Sequence, residues 1–159
     1  MSNFEIEEVR DINPVWSDLV ALFEALYEHH VPLGYPPLVP DWQRRWRSQL
    51  AGPGERLILL SRVDGEAIGF FNSRLQRTSG LYDEAFGFVE DAYVSPEHRG
   101  GGLAQAMLRR TEDWCRSRSI TLLRLSVLAH NGLAVQFWQK SGFEPLLNVV
   151  SKDLSGAAS

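Results

Sequence analysis

The beginning of the chain shows a short strand pattern followed by a helical one. Residues 4–9 alternate weakly between apolar and polar side chains, and this alternation predicts a first strand. From residue 13 to residue 30 apolar side chains recur at helical spacing, which predicts a helix with Asn13 as its cap and Pro14 in its first turn. The apolar face of this helix consists of Leu19, Leu22, Phe23, Leu26 and Tyr27.

Prolines interrupt the pattern after this helix. Residues 31–40 contain four prolines, which exclude a long helix and predict a loop. Residues 41–50 predict a short helix that Asp41 caps, and the sequence AGPG at residues 51–54 ends it.

Three strand patterns follow in succession. Residues 56–63 and 66–76 flank the dipeptide Asp64-Gly65, which favours the two-residue turn of a β-hairpin. Residues 85–94 predict a third strand. Together these segments predict an antiparallel meander.

Helices and strands alternate in the second half of the chain. Residues 101–118 predict a helix, residues 121–128 a strand, and a second helix ends at Ser141-Gly142. Residues 143–154 predict a last strand or strand pair. The apolar face of the first of these helices consists of Leu103, Met107, Leu108, Thr111, Trp114 and Cys115.

These patterns predict an α/β fold with a mixed central sheet flanked by helices. The antiparallel N-terminal meander is followed by strand, helix, strand, helix and strand, an order that needs crossover connections. A chain of 159 residues fits one domain, which we expect over residues 1–154, with residues 155–159 as a loose tail.

Composition and charge narrow the classes of partner. The net charge of −4 argues against nucleic acid, because phosphate binding needs clustered positive charge. The acidic N-terminus lacks the pattern of a signal peptide, and no stretch approaches the roughly 20 apolar residues of a membrane span. The single cysteine, Cys115, allows no internal disulfide and no cysteine-cluster metal site. We therefore expect a cytoplasmic protein without a membrane or nucleic-acid partner.

The sequence EHRGGGLAQAML at residues 97–108 places three glycines between a predicted strand and a predicted helix. Such a turn leaves backbone N–H groups free at the positive end of a helix, which favours phosphate binding, and Arg99 adds a fixed charge beside it. A plain tight turn with a helix-initiating glycine is an equal alternative from these residues alone. The chain lacks GxxxxGK[ST] and GxGxxG, so neither a Walker loop nor a Rossmann site is expected here.

Two sequence blocks resemble the GNAT superfamily of acyl-CoA-dependent N-acetyltransferases. RGGGLA at residues 99–104 fits the cofactor signature [RQ]-x-x-G-x-[GA] of that family, and the preceding FVEDAYVSPEH is similar to its usual strand. The stretch NGLAVQFWQKSGF at residues 131–143 resembles the family's N-x-x-A-x-x-[FL]-Y-x-x-x-G-F. The resemblance covers residues 85–145 by motif and the whole chain by layout.

The resemblance implies acetyl-CoA as co-substrate and a set of cofactor-binding residues. In such proteins the end of the fourth strand runs alongside the pantetheine, the loop amides hold the pyrophosphate, and the asparagine of the second block contacts the pantetheine arm. The residues that match these positions are Ala92, Tyr93, Val94, Arg99, Gly100, Gly101, Gly102, Leu103, Ala104, Gln105, Asn131, Ala134 and Phe137.

Acetyl transfer to an amine needs a base, and the candidates are Glu90 and Asp91. Adjacent residues of a strand point to opposite faces, so we expect one of the two acids to face the cleft. Glu90 matches the position of the family's glutamate base and is preferred, although a bulge would exchange the two faces. The alternative is that both acids are merely solvated or cap a neighbouring loop.

The second block departs from the family where its tyrosine serves as general acid, because this chain has Trp138 there. An indole N–H donates a hydrogen bond but does not ionise usefully, so it is no proton reservoir. Trp138 is expected either to pack against the cofactor or to donate to its sulfur. The missing tyrosine keeps open a non-catalytic acyl-CoA-binding sensor as the alternative to an enzyme.

Aromatic residues in the proline-rich region are candidates for binding the acceptor. In the family this region covers the acceptor site, and Tyr35 and Trp42, together with the acidic residues of positions 83–91, are suited to bind a cationic amine. The alternative places the tryptophans in the core. His29 and His30 are not expected to bind metal, because neighbours on a helix diverge.

The predicted activity is transfer of acetyl from acetyl-CoA to a primary amine of a small molecule or peptide. A different acyl donor or a hydroxyl acceptor is the alternative within enzymes. A homodimer is possible through the edge of the last predicted strand.

Overall fold

Five strands form a single sheet in which their spatial order is also their order along the chain. The structure is a computed structural model, and it describes residues 3–156. The first four strands pair antiparallel, whereas the last two pair parallel. The strands are β1 (Glu5–Glu8), β2 (Arg56–Val63), β3 (Glu66–Thr78), β4 (Glu84–Val94) and β5 (Leu123–Leu125).

Four α-helices cover the two faces of this sheet, so the predicted α/β fold with a mixed sheet is confirmed. Helices α1 and α2 pack on one face, around Leu19, Ile58 and Phe70. On the other face α3 packs around Phe71 and Met107. The helices are α1 (Trp16–His30), α2 (Trp42–Leu50), α3 (Leu103–Ser117) and α4 (Gly132–Lys140).

The hairpin between β2 and β3 forms where the sequence predicts it. Asp64 and Gly65 both have positive φ, +49° and +81°, and Val63 pairs directly with Glu66. Two successive residues of positive φ are the requirement of a type I′ turn. The meander is therefore confirmed, and it brings β2, β3 and β4 side by side.

The apolar face predicted for α3 is also confirmed, since all six of its residues are buried. This stripe packs against Leu57, Phe71 and Val89 of the sheet. It holds α3 against the sheet, and residues 95–102 connect the end of β4 to the start of this helix.

Both predicted helix caps differ in detail. Asn13 lies in a 3₁₀ turn (Asn13–Val15), and α1 begins after it at Trp16, so the prediction of Asn13 as a side-chain cap is wrong. Its side-chain oxygen accepts from Arg47 instead. Asp41 does occupy the position before α2, but its carboxylate pairs with Arg44 and Arg45 rather than with the helix amides.

The end of the sheet is shorter than predicted. The strand expected over residues 121–128 is confined to β5, and the final strand expected over residues 143–154 is absent, since that segment lies outside every helix and strand. Its sequence PLLNVV does not alternate between apolar and polar residues, and Pro145 has no N–H to donate. Of the tail expected at residues 155–159, residues 157–159 lie outside the described part.

Candidate active site

A β-bulge in β4 lies at the centre of the candidate site. Asn72 of β3 pairs with Asp91, whereas the next residue, Ser73, pairs with Val89, so Glu90 is the extra residue on β4. A bulge reverses which faces the following side chains occupy. Val89 lies on the α3 face before the bulge, and Ala92 and Val94 lie on that face after it.

The parallel pairing of β4 with β5 ends at the same point. Gly87, Phe88 and Val89 pair with β5, and within residues 3–156 the part of β4 after Val89 pairs with β3 alone. The two strands therefore leave an opening between them. Because β4 and β5 are parallel, α3 and α4 both begin beyond their carboxyl ends, where ligands bind in open α/β sheets.

The glycine loop connects β4 to α3 at this opening. Gly100 and Gly102 have φ values of +82° and +85°, a region that L side chains rarely adopt. A Cβ placed on either residue would have no atom within 4 Å. The glycines are thus required by backbone conformation, and the space beside them is open. The first amides of α3, which begins at Leu103, have no acceptors within the helix.

Arg99 joins the loop to the strand that precedes it. Its Nε donates to the carbonyl oxygen of Val94 at 2.8 Å, and its guanidinium lies 5.8 Å from the centre of the Tyr93 ring. Part of the guanidinium therefore holds the loop, while the side chain remains exposed.

Residues from α4 line the opposite side of the opening. The side-chain oxygen of Asn131 accepts from the Ala134 amide at 3.3 Å and caps the helix, which leaves its NH₂ group as a donor. Gln105 of α3 accepts from the Ser141 hydroxyl at 3.3 Å, which links α3 to the end of α4. The predicted cofactor residues of the two sequence blocks are thus brought to neighbouring elements.

The two candidate acids share one partner, the buried side chain of Asn72. Its Nδ2 lies 2.8 Å from Asp91 Oδ2 and 3.3 Å from Glu90 Oε2. The expectation that strand alternation separates the two acids is therefore wrong, because the bulge lets both carboxylates reach the same amide. Asn72 also accepts from Arg56 Nη1 at 2.7 Å, so its side chain holds the whole group in place.

Glu90 is bound by two arginines. Arg56 Nη1 lies 2.6 Å from its Oε2, and Arg74 Nε donates to its Oε1. A carboxylate oxygen can accept about two hydrogen bonds. Oε2 accepts from both Arg56 and Asn72, whereas Oε1 accepts from Arg74 and has room for a further donor.

Asp91 has a different environment from its neighbour. The pKa of Asp91 is raised to about 6, and burial is the largest cause. The Asn72 hydrogen bond lowers this pKa, the charge of Glu90 raises it, and the charge of Arg56 lowers it. A carboxyl group of this pKa changes its protonation state close to neutrality, which is where proton transfer is most efficient.

Aromatic residues of α1 and the following loop form a group that includes Tyr27, whose pKa is affected by the charge of Asp91. The rings of Tyr27 and Tyr35 meet edge to face at 5.6 Å, and His30 lies 5.8 Å from Tyr35. The pKa of Tyr27 is raised by burial and by the charges of Tyr35 and Asp91. Tyr35, a predicted acceptor residue, is thus an exposed edge of this aromatic group.

The other predicted acceptor residue, Trp42, lies deeper in the helical layer. Its ring stacks on Phe23 at 5.1 Å and lies 6.2 Å from Trp46. This position matches the core alternative for the two tryptophans, and Trp42 is half-buried there.

Trp138 packs among aromatic rings. Its ring centre lies 4.8 Å from Phe137, 5.4 Å from Phe143 and 6.1 Å from Phe71. These contacts account for a large apolar residue at this position of α4.

The sequence patterns did not indicate Arg56, Asn72 or Arg74 as site residues. Their signal is a set of polar residues at alternate positions of otherwise buried strands, which becomes meaningful only with the sheet register known. Within the described residues no group of three His, Cys, Asp or Glu side chains is arranged to hold a metal ion. No helix in residues 3–156 is long and apolar enough to span a membrane.

Known proteins of similar sequence and structure agree on one family. A sequence model of the acetyltransferase (GNAT) family matches residues 18–143. An aminoglycoside N(6′)-acetyltransferase type 1 of Stenotrophomonas maltophilia is 28% identical over 120 residues, which is 74% of this chain and 78% of that protein.

Solved structures show the same fold at lower identity. The aminoglycoside 6′-N-acetyltransferase AAC(6′)-Ih of Acinetobacter baumannii is 22% identical, with a TM-score of 0.74 over 98% of this chain and 100% of that one. AAC(6′)-Iy in complex with a CoA-linked bisubstrate analogue is 18% identical, with a TM-score of 0.75 over 96% and 98%. The chain belongs to the acetyltransferase (GNAT) family, and it is an acyl-CoA-dependent N-acetyltransferase with acetyl-CoA as its co-substrate.

Proposed function

We propose that the protein transfers the acetyl group of acetyl-CoA directly to a primary amine at the bulge of β4, with Glu90 as general base. The observation that carries this proposal is the pair of carboxylates, Glu90 and Asp91, held by Asn72 at the mouth of the opening between β4 and β5. A base must lie within reach of the attacking amine, and these are the acids at the point where the strands separate.

Acetyl-CoA fits the other side of the opening. The open space beside Gly100 and Gly102 supports close approach of a ligand to the backbone. The first amides of α3 and the Arg99 guanidinium suit the negative charge of a pyrophosphate. The donor group of Asn131 and the rings near Phe137 favour α4 as the wall beside the pantetheine arm.

The chemistry follows from these positions. The amine nitrogen attacks the thioester carbonyl carbon, a C–N bond forms and the C–S bond breaks, so the products are an N-acetylated amine and CoA. The nitrogen must lose one proton. We assign Glu90 as the group that accepts it, and Asp91, which binds the same Asn72 amide, is the alternative base. Trp138 packs rather than ionises, so we assign the proton that the thiolate gains to solvent.

The class of acceptor is a small molecule with a primary amine. The relatives named above act on aminoglycosides by their names, which makes aminoglycosides the first compounds to test. Peptide amines, another acyl donor, a cytoplasmic location and a homodimer stay predictions.

An acetylation assay tests this function. Purified protein is supplied with acetyl-CoA and a panel of amines, and the released CoA thiol and the mass of the acetylated product are measured. We expect transfer to at least one amine and its loss in Glu90→Gln. A protein that binds acetyl-CoA and releases no CoA with any amine would contradict the proposal.

A further inference from the structure

Three arginines lie in one row across the sheet beside the bulge. The register pairs Arg56 with Arg74, Arg74 with Phe88, and Phe88 with Arg124. Directly paired residues project from the same face, about 4.5–5.5 Å apart at Cβ. This arginine row (Arg56, Arg74 and Arg124, with Phe88 between the last two) crosses four strands.

The arginine row faces away from α3. The residue before Phe88, Gly87, faces that helix so closely that a Cβ on it would lie 2.5 Å from the sulfur of Cys115. The row therefore lies on the face that carries α1, and its arginine side chains are 17% to 35% exposed. The row is therefore partly exposed to solvent.

The acids beside the row are already paired. Glu90 binds both Arg56 and Arg74, and Glu84 binds Arg124 through both Nη atoms. Three guanidiniums thus face two carboxylates, which leaves one positive charge. Asp91, the remaining acid, has no ion pair within the described residues. When Asp91 is charged, the three arginines and three carboxylates together have a net charge of zero. A polycationic amine would find no surplus of negative charge here.

Arg74 retains unused donors. Its Nε donates to Glu90, its Nη1 donates to Gln76 at 2.6 Å, and its guanidinium lies 5.5 Å from the Phe88 ring centre. No acceptor for its Nη2 lies within residues 3–156. Arg124 likewise keeps a buried Nε without a partner in the described part of the chain. Guanidinium forks of this kind match a carboxylate.

We propose that the acceptor carries a carboxylate a few bonds from its primary amine, and that Arg74 binds this carboxylate. Because Arg74 touches Glu90, a carboxylate on Arg74 places an amine only a few atoms away next to the proposed base. The acceptor class is therefore amino acids and related amino carboxylates. This inference rests on the proposed function.

The first test compares acceptors that differ by one charge. Initial rates are measured for a panel of amino acids, for their primary amides and for aminoglycosides. The amine of an amide is less basic and more often neutral at pH 7, so a preference for the acid has to come from the carboxylate. We expect kcat/KM for the best amino acid to exceed that of its amide by about ten- to a hundredfold, the usual worth of a charge-assisted hydrogen bond.

The second test assigns this preference to Arg74. Arg74→Gln is expected to reduce the ratio of kcat/KM for acid over amide to about one, and Arg74→Lys to restore part of it. The control is Arg77→Gln, an exposed arginine on the opposite face of the same strand with no ion pair in the described residues, which should leave the ratio unchanged. An equal loss for acid and amide would show that Arg74 only positions Glu90 and would overturn the inference.

The outcomes separate the two proposals. A protein that acetylates aminoglycosides or amides better than amino acids contradicts the inference and leaves the acetyltransfer proposal standing. A protein that acetylates no member of either panel contradicts both.

Discussion

The two sides of the opening between β4 and β5 are built from different parts of the polypeptide. The side assigned to acetyl-CoA consists of backbone: glycines of positive φ and the first amides of α3, all within residues 94–105. The side that we propose for the acceptor consists of charged side chains that four strands contribute, from Arg56 to Arg124. Single substitutions of these charged side chains should therefore change catalysis and acceptor choice while acetyl-CoA still binds. Binding of acetyl-CoA should instead depend on the backbone conformation of the glycine loop.

The largest effect is expected on the acceptor side. Glu90→Gln should lower kcat by about 10²–10⁴, the usual worth of a general base, and leave the Kd for acetyl-CoA nearly unchanged. The loss should shrink as pH rises, because more of the amine is then neutral. Steady-state kinetics at intervals of about one pH unit between about pH 6 and pH 9 measure kcat. Calorimetry measures the Kd for acetyl-CoA.

A Glu90→Gln variant as active as the wild type near neutrality would remove Glu90 as base. Asp91→Asn, assayed in parallel, then shows whether the neighbouring carboxyl group has that role.

On the cofactor side, Gly102→Val should weaken acetyl-CoA binding by about ten- to a hundredfold, roughly 1.4–2.7 kcal/mol. Valine disfavours a φ of +85° and fills the space next to the backbone. Gly54→Val is a matched control, because Gly54 has a φ of +104° and open space too but lies in the loop before β2. Equal Kd values for the two variants by calorimetry would remove the loop from the cofactor site.

The carboxylate pair also predicts how stability depends on pH. The pKa of Asp91 is about 6 in the folded protein against an ordinary value of 3.8, so the folded state holds this proton more tightly than the unfolded chain. The charged form of Asp91 therefore lowers the free energy of unfolding above pH 6. This loss becomes smaller as the pH falls from 6 to 3.8, and it is absent well below pH 3.8.

Asp91→Asn should accordingly raise the free energy of unfolding by about 1–2 kcal/mol at neutral pH. The full shift is worth more, but Asp91 is only half-buried and water screens its charge. Urea titrations at pH 7.5 and at about pH 4 measure the difference, most of which should disappear at the lower pH. An equal gain in the free energy of unfolding at both pH values would contradict a raised pKa of Asp91.

The smallest effects are expected at Trp138, which packs against the rings of Phe71 and Phe143. Trp138→Phe keeps a ring against Phe71 and Phe143 and should reduce kcat by less than about tenfold, or 1.4 kcal/mol. Trp138→Tyr introduces an acid and should give an equal or higher kcat where thiolate departure limits the rate. A loss of tenfold or more in Trp138→Phe would instead assign a role to the indole N–H.

The sequence indicated the glycine loop and the apolar face of α3, whereas it did not indicate the polar residues beside the bulge, and the reason is physical. The positive φ of Gly100 and Gly102 and the apolar stripe of α3 depend on residues close together in sequence. Such features therefore appear as recognisable sequence patterns. Arg56, Asn72 and Arg124 meet only through strand register, which no local pattern specifies.

Two errors have the same origin. The bulge at Glu90 follows from how β4 fits β3, and it brought together two acids that simple alternation separates. The final strand was predicted from residues 143–154, yet apolar residues do not by themselves specify pairing, and the outer edge of β5 pairs with no strand in the described residues. Both depend on the rest of the sheet.

A crystal structure of the protein with CoA and an amino acid tests this division most directly. We predict pyrophosphate oxygens within hydrogen-bond distance of the first α3 amides, the CoA sulfur in the opening beside Glu90, and the amino acid carboxylate on Arg74. A pyrophosphate bound away from the glycine loop, or a carboxylate bound away from the arginine row, would contradict it.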